Sequence, residues 1–168
     1  MNAPPLRRGL LLTQTEPPPA MEAEFNAWYD LEHLPERLSI PGFRSARRWV
    51  AERASGEGPH LPKYFATYEL DSFGVLSSPE YLRFFEKPTP WTKRCLDACV
   101  VFKRWACEQL GAEDPHPAAR ALVVSLDGRV PEVKPLRVRR FRAQSGETIA
   151  LHEFDQSSPP DAYRLYRA

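Results

Sequence analysis

The chain has 168 residues, 42% hydrophobic and 27% charged, the make-up of a globular protein with room for one generous domain or two small ones. Its 23 Lys and Arg against 22 Asp and Glu leave no surplus charge to draw it to nucleic acid or to an anionic membrane surface. No apolar run approaches the roughly 20 residues that cross a bilayer, and Leu10–Leu12 is too short for a secretion signal, so a cytoplasmic protein is expected.

In chain order, alternation around Leu10–Leu12 predicts a strand over residues 8–15. Residues 20–38 read as a helix, with Met21, Phe25, Trp28 and Tyr29 recurring at three- and four-residue steps, closed by a Pro41-Gly42 turn. A strand follows over 43–52, with Phe43, Ser45, Arg47 and Trp49 assigned to one face and Arg44, Ala46, Arg48 and Val50 to the other. After a connection at Ser55–Pro59 comes the aromatic strand 63–71. Ser78-Pro79 and Thr89-Pro90 are helix starts, each with an N-cap hydroxyl and a proline in the first turn. Residues 100–108 make the fourth strand, with Phe102 and Arg104 on one face.

The order β-α-β-β-α-β is that of a ferredoxin-like unit over residues 7–110. The pattern then recurs. Phe43–Glu57 reads beside Leu136–Glu147, Ala66-x-Tyr68-Glu69-Leu70-Asp71 beside Ala150-x-His152-Glu153-Phe154-Asp155, and Arg8–Thr15 loosely beside Arg120–Asp127. Ser78–Phe84 finds its echo in Pro159–Tyr166, which reads as the start of a second helix. The expected fold is thus α+β, a ferredoxin-like unit followed at residues 118–168 by a truncated repeat of three strands.

Chemistry concentrates in the first helix. On a 100° wheel Glu32 falls inside the apolar stripe, and His33 lies at its edge, four residues after Tyr29. A carboxylate on a core-facing stripe needs a partner or a proton, and a histidine beside it can carry protons near neutral pH. Glu32, His33 and Tyr29 are therefore candidates for general acid–base work. A purely structural reading stands beside this one, with Glu32 tied to Arg47 or Arg48 and His33 capping the helix. Phe25, Trp28, Trp49, Arg48, Tyr68 and Phe102 are candidates for walling a flat, apolar ligand pocket. His152 takes the place of Tyr68 in the second copy and is expected to be packed and satisfied, while His60 and His116 lie in loops. Cys95, Cys99 and Cys107 lack a paired CxxC spacing and read as reduced thiols, and no metal site is expected.

The stretch Phe25-Asn26-x-Trp28-Tyr29-Asp30-x-Glu32-His33-Leu34-Pro35, followed by Pro41-Gly42-Phe43, resembles the dimeric α/β-barrel superfamily. Within it the chain is most similar to EthD-like and stress-responsive barrel proteins, which carry a helix histidine ahead of a Pro-Gly turn. The resemblance implies that His33 is that histidine and that Tyr29, Trp28 and Phe25 line the cavity beside it. It also implies a range of activities: cofactor-free monooxygenases, haem-binding or haem-degrading proteins, lactone isomerases and polyketide cyclases. Three functions stay open: a cofactor-free enzyme on a hydrophobic aromatic or polyketide-like substrate, a binding module for an apolar ligand or haem, and a structural protein. The superfamily closes its barrel from two chains. Three strands cannot mirror four, so a homodimer built on the first copies is expected.

Overall fold

The protein is described here from a computed structural model covering residues 6–51, 61–126, 128–157, 159 and 161–167. The connection expected at Ser55–Pro59, and His60 after it, lie outside the described residues. Eight antiparallel strands close into one barrel: β1 (Gly9–Glu16), β2 (Phe43–Ala51), β3 (Tyr64–Leu70), β4 (Val101–Gln109), β5 (Ala121–Ser125), β6 (Arg137–Ala143), β7 (Thr148–Phe154) and β8 (Tyr163–Leu165). Their order around the wall is β1-β3-β2-β8-β5-β7-β6-β4. The first four strands thus run β4-β1-β3-β2 and the last four β8-β5-β7-β6, the same order in each half.

Two expectations are corrected here. Residues 163–165 form a strand, not a second helix, and seat themselves between β2 and β5. Tyr163 explains the choice: its ring enters the barrel against Phe65 (centroids 5.2 Å apart) and its hydroxyl donates to the carbonyl of Pro62. With that fourth strand the barrel closes within a single chain, so the argument that two chains must meet to close it falls.

The barrel interior is packed by Leu10, Leu12, Trp49, Phe65, Phe141, Ile149, Leu151 and Tyr163 from both halves. One buried charge cluster sits among them. Arg139 donates from both Nη atoms to the Glu69 carboxylate (3.0 and 2.9 Å) and from Nε to Glu153 (2.9 Å). A bidentate pair with a second carboxylate on the free edge of the guanidinium is the geometry in which buried charge becomes tolerable. It also ties β3 to β6 and β7, across the two halves.

Among the described residues, helices cover the outer face of the first half only. They are α1 (Glu22–Trp28), α2 (Leu34–Leu38), α3 (Pro79–Glu86) and α4 (Pro90–Ala98), with a π turn at Tyr29–His33 between the first two. Ser78 and Thr89 cap α3 and α4 by accepting from the backbone N–H of Tyr81 and Thr92. The Pro41-Gly42 turn is present, with Gly42 at φ +96° and no room for a side chain: a Cβ would fall 2.4 Å from Val75. Outside the second half, β5 and β7 carry a small apolar cluster of Ala121, Val123, Phe154 and Ala162. No helix among the described residues is long and apolar enough to cross a membrane.

Candidate functional site

The first-helix stripe meets the sheet as its periodicity requires, but the π turn reshapes its lower end. Leu34 donates its N–H to the carbonyl of Tyr29, five residues back. That wider register accommodates Pro35, which has no N–H to offer and whose ring would crowd the carbonyl four residues before it. His33 is buried there against Trp28 (ring centroids 4.5 Å apart), Tyr29 (4.9 Å) and Tyr68 (6.3 Å).

A cavity of about 60 Å³ lies between these helices and the outer face of β1, β3 and β4. Leu11 and Thr13 floor it, Trp28, Tyr29 and His33 form one wall, and Tyr68, Tyr81, Phe102 and Arg104 form the other, with Arg37 beside His33. Phe85 and Phe102 are 58% and 48% exposed, so the space opens to solvent between two phenyl rings. Five of the sequence candidates converge here: Trp28, Tyr29, His33, Tyr68 and Phe102.

The others do not. Phe25 stands behind the wall, 5.3 Å from Tyr29 and 5.6 Å from Trp28 between ring centroids. Arg48 is held between the rings of Tyr29 and Tyr166, 4.2 Å from each centroid, and donates to Asp30 (3.2 Å) and Asn26 (2.6 Å). It reaches the cavity only through its charge. Trp49 points into the barrel and donates to Thr67 at 3.2 Å. A register irregularity between Phe43 and Ser45 accounts for part of this. Phe43 joins the helix-side core with Ala46 and Val50, against the strict alternation expected for the strand.

Glu32 is also elsewhere. Its carboxylate accepts hydrogen bonds from the hydroxyls of Thr89 and Thr92, and Thr92 in turn accepts from the Trp28 indole at 3.0 Å. Neither Arg47 nor Arg48 pairs with it among the described contacts; its task is to fasten the π turn to the start of α4 and to fix Trp28.

Inside the cavity the polar groups are few and unusual. Burial, then the charges of Arg37 and Arg48, hold the His33 imidazole well below its ordinary pKa of 6.5, so it is neutral at pH 7. Its Nδ1 has no hydrogen-bond partner among the described residues, and neither does one Nη of buried Arg37, whose guanidinium lies over the Tyr81 ring. The phenols of Tyr29 and Tyr68 hydrogen-bond each other at 2.9 Å, with Thr13 at 3.4 Å from Tyr29. Burial and then the neighbouring Tyr29 push the Tyr68 phenol well above its usual value of 10, so it stays a donor. Arg104 donates to the Tyr81 hydroxyl at 2.8 Å.

Arg37 and Arg104 were missed from sequence although each had a signal. Arg37 lies four residues after His33, and Arg104 shares a strand face with Phe102. Among the described residues no His, Cys, Asp and Glu side chains gather in a group of three as a metal ion would need.

No family model and no characterised protein sequence matches the chain. Among solved structures it is similar to one described as an anthrone oxidase-like protein, with a TM-score of 0.59 over 99% of this chain and 94% of that one. The two share 11% identity, so the likeness is one of fold and supports the barrel class.

Proposed function

We propose that the helix–sheet cavity binds a flat, oxygen-bearing aromatic ketone and that His33 removes a proton from the carbon next to the carbonyl. The barrel would then be a pair of ferredoxin-like halves descended from one unit, of which only the first kept its helices and this site.

The observation that carries the reading is the environment of His33. A neutral, buried imidazole lies among three aromatic rings, next to a phenol pair and two guanidinium groups. The C–H electron pair would pass into the carbonyl, forming an enolate while His33 takes the proton. The positive charge gained by His33 is matched by the enolate, whose oxygen is favoured by Arg37 and by the Tyr29–Tyr68 phenols. Buried donors already in place strengthen that stabilisation because they need no reorganisation.

Size supports a substrate that is only partly enclosed. At about 60 Å³ the cavity is smaller than the roughly 150 Å³ that takes a benzene in a closed core, so it admits the reacting edge of a ring system. The remaining rings would lie across Phe85 and Phe102. Isomerisation, cyclisation, decarboxylation and oxygenation can all proceed through such a carbanion. The anthrone oxidase-like neighbour favours the last, in which dioxygen is the oxidant: one oxygen atom becomes the new carbonyl and the other leaves as water.

Anthrone is the probe. Titration should quench the fluorescence of Trp28, and aerobic incubation should consume dioxygen with formation of anthraquinone. His33→Gln should keep the binding and lose the turnover. Binding without turnover in the wild type would favour the binding-module reading. Neither binding nor turnover, for anthrone or its hydroxylated forms, would remove both.

A further inference from the structure

The second half of the barrel has its own cavity on the face where the first half carries helices. It measures about 240 Å³ and lies between the outer face of β5, β6 and β7 on one side and Leu126, Gly128, Arg129 and Val130 on the other. Its floor repeats the register of the first site. Ala46 pairs with Tyr68 and Arg48 with Ala66 across β2 and β3; Val138 pairs with His152 and Arg140 with Ala150 across β6 and β7. His152 thus stands where the first half has Tyr68, and Arg140 where it has Arg48.

The partners differ. Arg48 is saturated by Asp30, Asn26 and two rings. Arg140 is exposed, and its side chain makes no hydrogen bond or ion pair with a described residue. His152 is 3% exposed, lines the cavity, and has no hydrogen-bond partner on either ring nitrogen among the described residues, contrary to the packed and satisfied side chain expected from sequence. A buried imidazole with both nitrogens unpaired is costly unless a ligand completes it. Burial, then the charge of Arg140, lower its pKa, so at neutral pH it offers one donor and one acceptor.

We infer that this cavity is a second ligand site, for a small carboxylate with an apolar body. Arg140 offers the forked donor that a carboxylate accepts in pairs, and His152 adds a further donor beside it. Thr148 contributes a hydroxyl, while Leu126, Val130 and Ala150 supply apolar surface. The other guanidinium in the wall, Arg129, is paired with Asp161 at 3.1 Å, which leaves Arg140 as the principal anion contact. The inference does not rest on the reading of the first site, since no residue lines both cavities.

The test is a titration of the whole chain with benzoate, followed by calorimetry and by the amide NMR shifts of residues 148–152. Saturable binding should move those amides. Arg140→Gln, a surface change that should leave the fold intact, and His152→Gln should each weaken binding about tenfold or more, the scale of one lost charge-assisted contact. Arg37→Gln in the first cavity should leave it unchanged. Absent binding, binding that survives Arg140→Gln, or binding lost instead with Arg37→Gln would each overturn the proposal. So would phosphate binding as tightly as benzoate, because the apolar body would then count for nothing.

Discussion

The phenol oxygens of Tyr29, in the π turn, and Tyr68, on β3, lie 2.9 Å apart beneath the His33 ring. One must donate to the other, which leaves a single phenolic hydrogen free to turn toward a ligand or toward Thr13. Tyr68→Phe should therefore cost about 1 kcal/mol of folding free energy, the usual net value of one buried hydrogen bond. If that hydrogen serves an enolate, turnover of anthrone should fall by roughly 10²-fold or more, as when an oxyanion donor is removed. Urea unfolding and dioxygen uptake on one preparation separate the two effects.

Glu32→Gln should behave in the opposite way. Its carboxylate serves Thr89 and Thr92 outside the cavity, so the variant should lose about 1 kcal/mol and keep turnover within about twofold of wild type. A collapse of turnover with stability intact would put Glu32 back in the chemistry.

The pH dependence of stability follows from the lowered pKa of His33. In the unfolded chain the imidazole takes a proton near pH 6.5, whereas in the fold it resists protonation until well below that. The native state is therefore at full strength above about 6.5 and weakens as pH falls toward the folded value. Melting temperature should drop between pH 7.5 and 5.5, and His33→Gln should flatten part of that drop, with His152 supplying a further part by the same sign. An unchanged slope in His33→Gln would contradict the buried, neutral imidazole.

Arg139→Met should be the most destabilising of these changes, by about 3–5 kcal/mol, because it strands the Glu69 and Glu153 carboxylates inside the barrel. Replacing all three by apolar residues of similar size should recover much of the loss. Denaturant midpoints would show both.

Local signals were legible and distant ones were not. The two Ser/Thr-Pro helix starts, the Pro41-Gly42 turn and the Phe25–His33 stripe each depend on a few neighbouring residues, and each is present in the fold. The partner of Glu32 was not legible, since Thr89 and Thr92 lie 57 and 60 residues away. β8 was misread because three residues behind a proline pair carry no periodicity of their own; what makes them a strand is the gap between β2 and β5. That strand decides closure, so the way the barrel closes was misread with it. Trp49 and Arg48 were both named as pocket residues although consecutive strand positions face opposite ways. His33 was found by its spacing from Tyr29, while the π turn around it follows from Pro35.

The most direct measurement is proton exchange without oxidation. Anthrone in deuterated buffer under argon exchanges its acidic methylene hydrogens, and NMR follows the rate with and without protein. Wild-type protein should accelerate exchange, and His33→Gln should lose that acceleration by roughly 10²- to 10⁴-fold, the range supplied by a positioned base. Exchange no faster than in buffer, or equally fast in His33→Gln, would contradict the role given to His33.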